Sequence, residues 1–306
     1  MLQFSRRGSW VSRKCSRPAW VVLGMSIVLT GILAAQSALA QTCTVLYTFK
    51  GSPDGANRRA SLIRDAKGNL FGTTEGGGFT NCQFNGCGMA FKLDTKGQET
   101  VLHRFKKGPL GGGTSPTGKR VRDAAGNLYG SASEGGYSCN NTPGCGAIFK
   151  PDKNGKETVS FYFRDVSGGA DPGGLMRDSA GNPYGDASSG LCKGECGLVF
   201  ELSETGSYTV LHYFKGAPDG EGPAGGLGRG PAGTLYGTTE EGGLGYGTVF
   251  TVNQNQKETV LYQFAGGADG AIPFTGVARD SAGNLYGTTE AGGGTGLRWF
   301  RLRNSV

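Results

Sequence analysis

Four sets of residues in this chain have the types and spacing to do chemistry. Arg64, Arg122, Arg177, Arg229 and Arg279 recur at intervals of 50–58 residues. If they converged, five guanidiniums would bind an anion. If they packed between neighbouring elements, each would pair with an acid and a backbone carbonyl. Unpaired like charges in a narrow channel are costly, so the second reading is favoured. The acids form the second set. Asp65, Asp123, Asp178 and Asp280 each precede a Gly-Asn turn, where a carboxylate can accept backbone N–H groups. Asp54, Asp219 and Asp269 sit in Asp-Gly loops, and Glu75, Glu134, Glu240 and Glu290 stand at Gly-rich loops. Oxygen ligands in Gly-rich loops suit calcium, but the dense alternation of acids that a calcium loop needs is missing. No metal or other cofactor is expected.

Cysteines are the third set. Cys82 and Cys87, Cys139 and Cys145, and Cys192 and Cys196 form local pairs in the same loop of three successive units. A zinc site would need four ligands to converge, and these pairs belong to separate units. Three local disulfides are therefore expected, and they require an oxidising compartment. Cys43 is left over, either free or linked to another molecule. Histidines are the last set. His103 and His212 stand where other units carry Tyr47, Phe161 and Tyr262. They read as members of a packed aromatic column. No Ser or Cys nucleophile motif lies beside them, so no catalytic residue is assigned.

These residues are positioned by a repeat. DSAGNLYGTTE at 280–290 recurs as DAKGNLFGTTE at 65–75 and DAAGNLYGSASE at 123–134, and in weaker form at 178–189 and 230–240. Segments of the Thr-Val-Leu type begin at Thr44, Thr100, Thr158, Thr209 and Thr259, giving units of about 44–99, 100–157, 158–208, 209–258 and 259–306. Each unit holds four short strand candidates. In one they are Lys119–Arg122, Leu128–Ser131, Ala147–Lys150 and Thr158–Phe163, separated by Gly- and Asn-rich turns.

Three aromatic columns run through the units. The second strands carry Phe71, Tyr129, Tyr184, Tyr236 and Tyr286. The third carry Phe91, Phe149, Phe200, Phe250 and Phe300. The fourth carry Phe49, Phe105, Phe163, Phe214 and Phe264. Burying one such side chain stabilises by about 1.5–3 kcal/mol, so these columns are the expected core. No apolar period near 3.6 residues is evident, and almost no helix is expected.

Four strands every 50 or so residues is the signature of a β-propeller blade. The expected fold is all-β, a propeller of five four-stranded blades. The chain begins with a fourth-type strand, 44–49, and ends with a third-type strand near 298–302. Pairing these two would close the ring and remove two sheet edges.

Residues 1–40 read as a secretory signal: a basic start, an apolar run from Ala19 to Ala35, and Ala38-Leu39-Ala40 before the expected cleavage point. Five bases and no acids lie in it. The remaining chain, 41–306, read as a single repeat domain, carries 26 basic and 24 acidic residues. The basic pI thus reflects the leader, and nucleic acid is not an expected partner. Nor is a membrane once the leader is removed, and the expected state is a monomer.

The blocks GNLYGTTEAGG at 283–293, GTVF at 247–250 and ETVLYQF at 258–264 recur in order over about residues 44–306. In these the chain resembles the Gloeo/Verruco (GloVer) tandem repeat of secreted or surface-anchored bacterial proteins. The resemblance implies a bacterial exported protein, whether secreted, periplasmic or at the cell surface. It implies no enzyme activity and no catalytic residues.

In a propeller, loops joining strands four to one and two to three emerge on one face. Here these loops hold the Asp-Gly turns, the loop glutamates and the cysteines. Variable loops on a rigid scaffold are where binding usually sits. The expected function is a binding scaffold for a polysaccharide or a surface protein. The alternative is a lyase or lactonase of the propeller type with a site at the channel mouth.

Overall fold

A computed structural model describes residues 13–15, 43–57, 61–80, 82, 86–106, 113–116, 118, 121–123, 126–139, 144–151, 157–190, 196–293 and 298–302. The repeat folds into antiparallel sheets that follow one another along the chain. Sheet one is Ile63–Arg64, Leu70–Thr74, Met89–Leu93 and Glu99–Arg104. Sheet two is Val121–Arg122, Leu128–Ala132, Ala147–Pro151 and Glu157–Tyr162. Sheet three is Ala170–Arg177, Pro183–Ser189, Leu198–Leu202 and Tyr208–Tyr213. Sheet four is Glu221–Arg229, Leu235–Glu241, Thr248–Val252 and Glu258–Gln263. Sheet five has three strands, Ala278–Arg279, Leu285–Thr289 and Arg298–Leu302. Among the described residues there is no α-helix, only three single-turn 3-10 segments.

Local chemistry sets the strand ends. In the turn between first and second strands, Asp280 accepts the Asn284 backbone N–H at 2.8 Å and its side-chain amide at 2.7 Å. Asp65 with Asn69, Asp123 with Asn127, and Asp178 with Asn182 repeat the pair. Gly283 sits in this turn with φ +88°, a conformation that a side chain disfavours.

The second strand then meets the third in one fixed register. Gly72 lies opposite Phe91, Gly130 opposite Phe149, Gly185 opposite Phe200, Gly237 opposite Phe250 and Gly287 opposite Phe300. The ring folds over its glycine. A Cβ at Gly237 would stand 2.5 Å from Phe250 Cζ, and one at Gly287 would stand 2.5 Å from Phe300 Cζ. Between third and fourth strands, sheets one to four each carry a bulge beside the same phenylalanine, as at Val249/Phe250.

Between sheets the third-strand ring meets the fourth-strand ring of the preceding unit. The pairs are edge-on: Phe49–Phe91 at 4.9 Å, Phe105–Phe149 at 4.8 Å, Phe163–Phe200 at 5.5 Å, Phe214–Phe250 at 4.9 Å and Phe264–Phe300 at 5.1 Å. Most of these rings are fully buried. Edge-to-face pairs at this separation add to the burial term.

The sheets therefore stack by one repeated contact, and the first strands gather on one side. Ala170–Arg177 packs against Leu128–Ala132 and against Glu221–Arg229. The expected pairing of 44–49 with 298–302 is not found among the described strands, and no sheet closes. Cys43–Val45 pairs with Arg13–Cys15 instead, and Arg298–Leu302 pairs only with Leu285–Thr289. An exposed strand edge takes a compatible partner, and residues 13–15 supply one. Apart from 13–15, the expected signal lies outside the described residues.

The Gly–Phe contact makes a sharp prediction. Gly237→Ala should displace the Phe250 ring and cost about 1–3 kcal/mol in urea unfolding. An unchanged unfolding midpoint would show that the ring does not need the empty space.

Candidate functional site

Three of the five arginines are engaged in pairs between units. Arg122, Arg177 and Arg229 each reach back to the preceding unit. Arg122 lies 3.6 Å from Asp65 and stacks over Phe71 at 4.5 Å. Arg177 lies 3.9 Å from Asp123 and over Tyr129 at 4.3 Å. Arg229 lies 3.3 Å from Asp178 and over Tyr184 at 5.4 Å. Arg122 and Arg177 also donate Nε to the carbonyls of Gly126 and Gly181 in their own turns. One guanidinium thus joins its own turn to the acid and the ring of the previous unit.

The turn carboxyls are correspondingly held low. Asn69 is the main cause at Asp65, with Arg122 adding to it. At Asp123 and Asp178 burial opposes the drop, but the Asn partners and Arg177 or Arg229 outweigh it. Asp280 is lowered to about 2, chiefly by the Asn284 amide, with the Tyr286 hydroxyl contributing. Arg279 and Arg64 break the series. The preceding unit carries Gly230 where other units carry the turn Asp, and Arg279 Nε is buried without a hydrogen-bond partner. Arg64 is exposed at the first unit, which has no preceding turn in chain order.

The two kinds of loop do lie side by side. Gly76 and Ala56 exchange backbone hydrogen bonds, as do Glu134 and Thr114, and Ala291 and Ala271. Glu75 N–H donates to Asn57 and Glu290 N–H to Ile272, while the Glu134 carboxylate accepts from the Thr114 hydroxyl. Glu75 is buried, Glu134 and Glu240 half-buried, and Glu290 exposed. The backbones of Glu75, Glu134 and Glu290 link the two loops in their units.

Asp54, Asp219 and Asp269 are placed alike. Each caps its turn by accepting the backbone N–H four residues earlier, from Lys50, Lys215 and Ala265. Each also meets the fourth-strand residue that precedes the column phenylalanine by two. Tyr47 donates to Asp54 at 2.7 Å, His212 Nε2 lies 3.2 Å from Asp219, and Tyr262 donates to Asp269 at 2.5 Å. A glutamate of the next fourth strand completes two of these groups: Glu99 receives the Tyr47 hydroxyl at 3.2 Å, and Glu258 joins His212 and Asp219.

Sequence reasoning passed over Glu99 and Glu258, although Glu-Thr-Val at 99, 157 and 258 was a visible signal. Burial first, then the neighbouring Asp54 or Asp219, pushes each of these glutamates up to about 7. Asp186 was also missed. It is fully buried, accepts the Gly226 N–H at 3.0 Å, and is raised to about 6 by that burial.

Cys82–Cys87 and Cys139–Cys145 are disulfide-bonded. Cys196 is disulfide-bonded too, and its expected partner Cys192 lies outside the described residues. Large apolar side chains reach solvent on adjoining loops. Leu244 is 62 % exposed, Tyr246 46 % and Phe274 51 %. The Ile272 N–H donates to the Tyr246 carbonyl and binds these two loops together.

The fold and these contacts define a disulfide-bearing, all-β repeat protein whose units interlock through rings and arginines. A sequence profile of the Gloeobacter/Verrucomicrobia repeat matches residues 139–297, and the chain belongs to that family. No curated protein matches it in sequence.

Among solved structures it is similar to a gluconolactonase of Xanthomonas campestris, at 16 % identity and TM-score 0.50, over 81 % of this chain and 73 % of that one. It is similar to PorZ, a surface component of the type-IX secretion system of Porphyromonas gingivalis, at 18 % identity and TM-score 0.50. That match covers 87 % of this chain and 35 % of PorZ. An extracellular domain from B. thetaiotaomicron matches at 10 % identity and TM-score 0.52, over 83 % of this chain and 28 % of that one. At these identities the likeness is one of fold, that of propeller-type proteins.

Three raised carboxyls set a pH dependence. Their folded-state values lie above the unfolded ones, so their contribution is complete only below the unfolded values of 3.8 and 4.5 and is lost as pH rises through about 6 for Asp186 and about 7 for the glutamates. In the presence of a chelator, the melting temperature should be higher at pH 5 than at pH 7.5. The double variant Glu99→Gln/Glu258→Gln should show less of that slope. An equal slope in the variant would contradict the assignment.

Proposed function

We propose that the protein is an exported binding scaffold, a closed five-bladed propeller that presents its loop face to a polysaccharide or a protein of the cell surface. One observation carries the reading. The acids and arginines with chemical potential are mostly engaged between units, while Leu244, Tyr246 and Phe274 are exposed together where two loops adjoin. Exposed apolar side chains on a loop face are the usual material of a docking surface. The disulfides fit an extracytoplasmic setting.

Closure has its own support. Phe49 meets Phe91 in the same edge-on contact that each fourth-strand ring makes with the next third strand. That contact supports a role for the segment as the outer strand of a preceding blade, and sheet five has three described strands where sheets one to four have four. In a closed ring Arg64 would reach Asp280 as Arg122 reaches Asp65.

A lactonase reading has only likeness of fold behind it. Binding of the mature protein to a glycan array and to envelope proteins tests the proposal, with lactone hydrolysis measured alongside. Leu244→Ser/Tyr246→Ser/Phe274→Ser should weaken the captured interaction at least tenfold and leave the melting temperature within a few degrees. Capture that is unchanged in this variant, or turnover of a lactone, would overturn it.

A further inference from the structure

His212 lies near the end of the fourth strand of sheet three, Asp219 is in the loop that follows, and Glu258 opens the fourth strand of sheet four. One donor atom from each falls within 4.8 Å of the other two, and His212 Nε2 is 3.2 Å from the Asp219 carboxylate. We propose that these three side chains form a binding site for a divalent transition-metal ion, with zinc the best chemical match, at the joint between two blades.

The donor set is one imidazole nitrogen and two carboxylate oxygens. Zinc takes such a set with water in the remaining position, whereas a hard ion such as calcium has little use for imidazole. All three groups are half-buried, so an ion there would be partly shielded from solvent.

Charge is the independent argument. The equivalent joint three repeat units earlier in the chain, Tyr47 with Asp54 and Glu99, has a tyrosine in place of the nitrogen ligand. There Arg104 acts on Glu99 as a compensating cation. At the second site the residue corresponding to Arg104 is Gln263. Two carboxylates therefore face each other with one imidazole and no counterpart of that arginine. Glu258 Oε1 is buried without a hydrogen-bond partner, so one ligand atom has a vacant valence. A divalent cation would answer the repulsion between the two carboxylates and satisfy all three groups.

The repeat supplies a substitution that the fold already tolerates. His212→Tyr recreates the Tyr47–Asp54–Glu99 arrangement and removes the nitrogen ligand. Mature, tag-free protein, stripped with a chelator, is titrated with zinc by calorimetry at pH 7.5, and separately with calcium. The wild type should bind one zinc ion per chain and bind calcium at least tenfold more weakly. His212→Tyr and Glu258→Gln should each weaken zinc binding at least tenfold, with metal-free melting temperatures close to wild type. Glu258→Gln decides the matter if His212→Tyr does not fold. The site is refuted by a wild type that takes up no zinc, or by zinc binding that is unchanged in Glu258→Gln.

Discussion

The structure depends on a phenyl ring lying over a glycine. In four sheets the third-strand phenylalanine folds across the glycine opposite it on the second strand, within 2.4–2.6 Å of where a Cβ would be at Gly72, Gly185, Gly237 and Gly287. That empty space lets the ring lie flat on its own sheet while its far edge meets the ring of the preceding unit. Without the glycine the ring would stand away from the sheet, and the distance to the next sheet would change. The aromatic-Gly strand and the Phe strand are therefore one device, set in the same register in all five sheets.

Charge completes the joint. The turn aspartates are ordered by their asparagines, and the arginines of the next unit reach those aspartates across the gap while covering the second-strand ring. Guanidinium, carboxylate and ring are all partly withdrawn from water, so each contact is worth more than an exposed surface pair. Because these residues hold units together, they are poor candidates for recognising a ligand. What remains at the surface is the loop face, where the variable stretches between strands carry exposed apolar side chains.

Much of this was legible in the residues. The aromatic columns, the turn role of Asp280 and its counterparts, the strand order and the local cysteine pairs all follow from spacing within one unit. Contacts between units were less legible. Arg177 could be read as wanting an acid, but only the stacking of sheets selects Asp123 and Tyr129. Glu99 and Glu258 went unassigned as site residues because their partners Asp54 and Asp219 lie about 40 residues away, across a joint whose register the sequence does not state. The N-terminal strand differed for a related reason. Its fourth-strand character was readable from Val45, Tyr47 and Phe49, yet its ladder partner depends on which edges are present, and Arg13–Cys15 takes part of that edge.

The central claim is that five interlocked sheets form one ring, with 44–49 as the missing outer strand of the last. Calorimetric unfolding of the mature chain with and without Thr44–Phe49 tests it most directly. A closed ring predicts one cooperative transition for the mature chain and its replacement, in the deletion, by a broad or split transition at lower temperature. A deletion that unfolds in the same single transition as the mature chain would contradict closure.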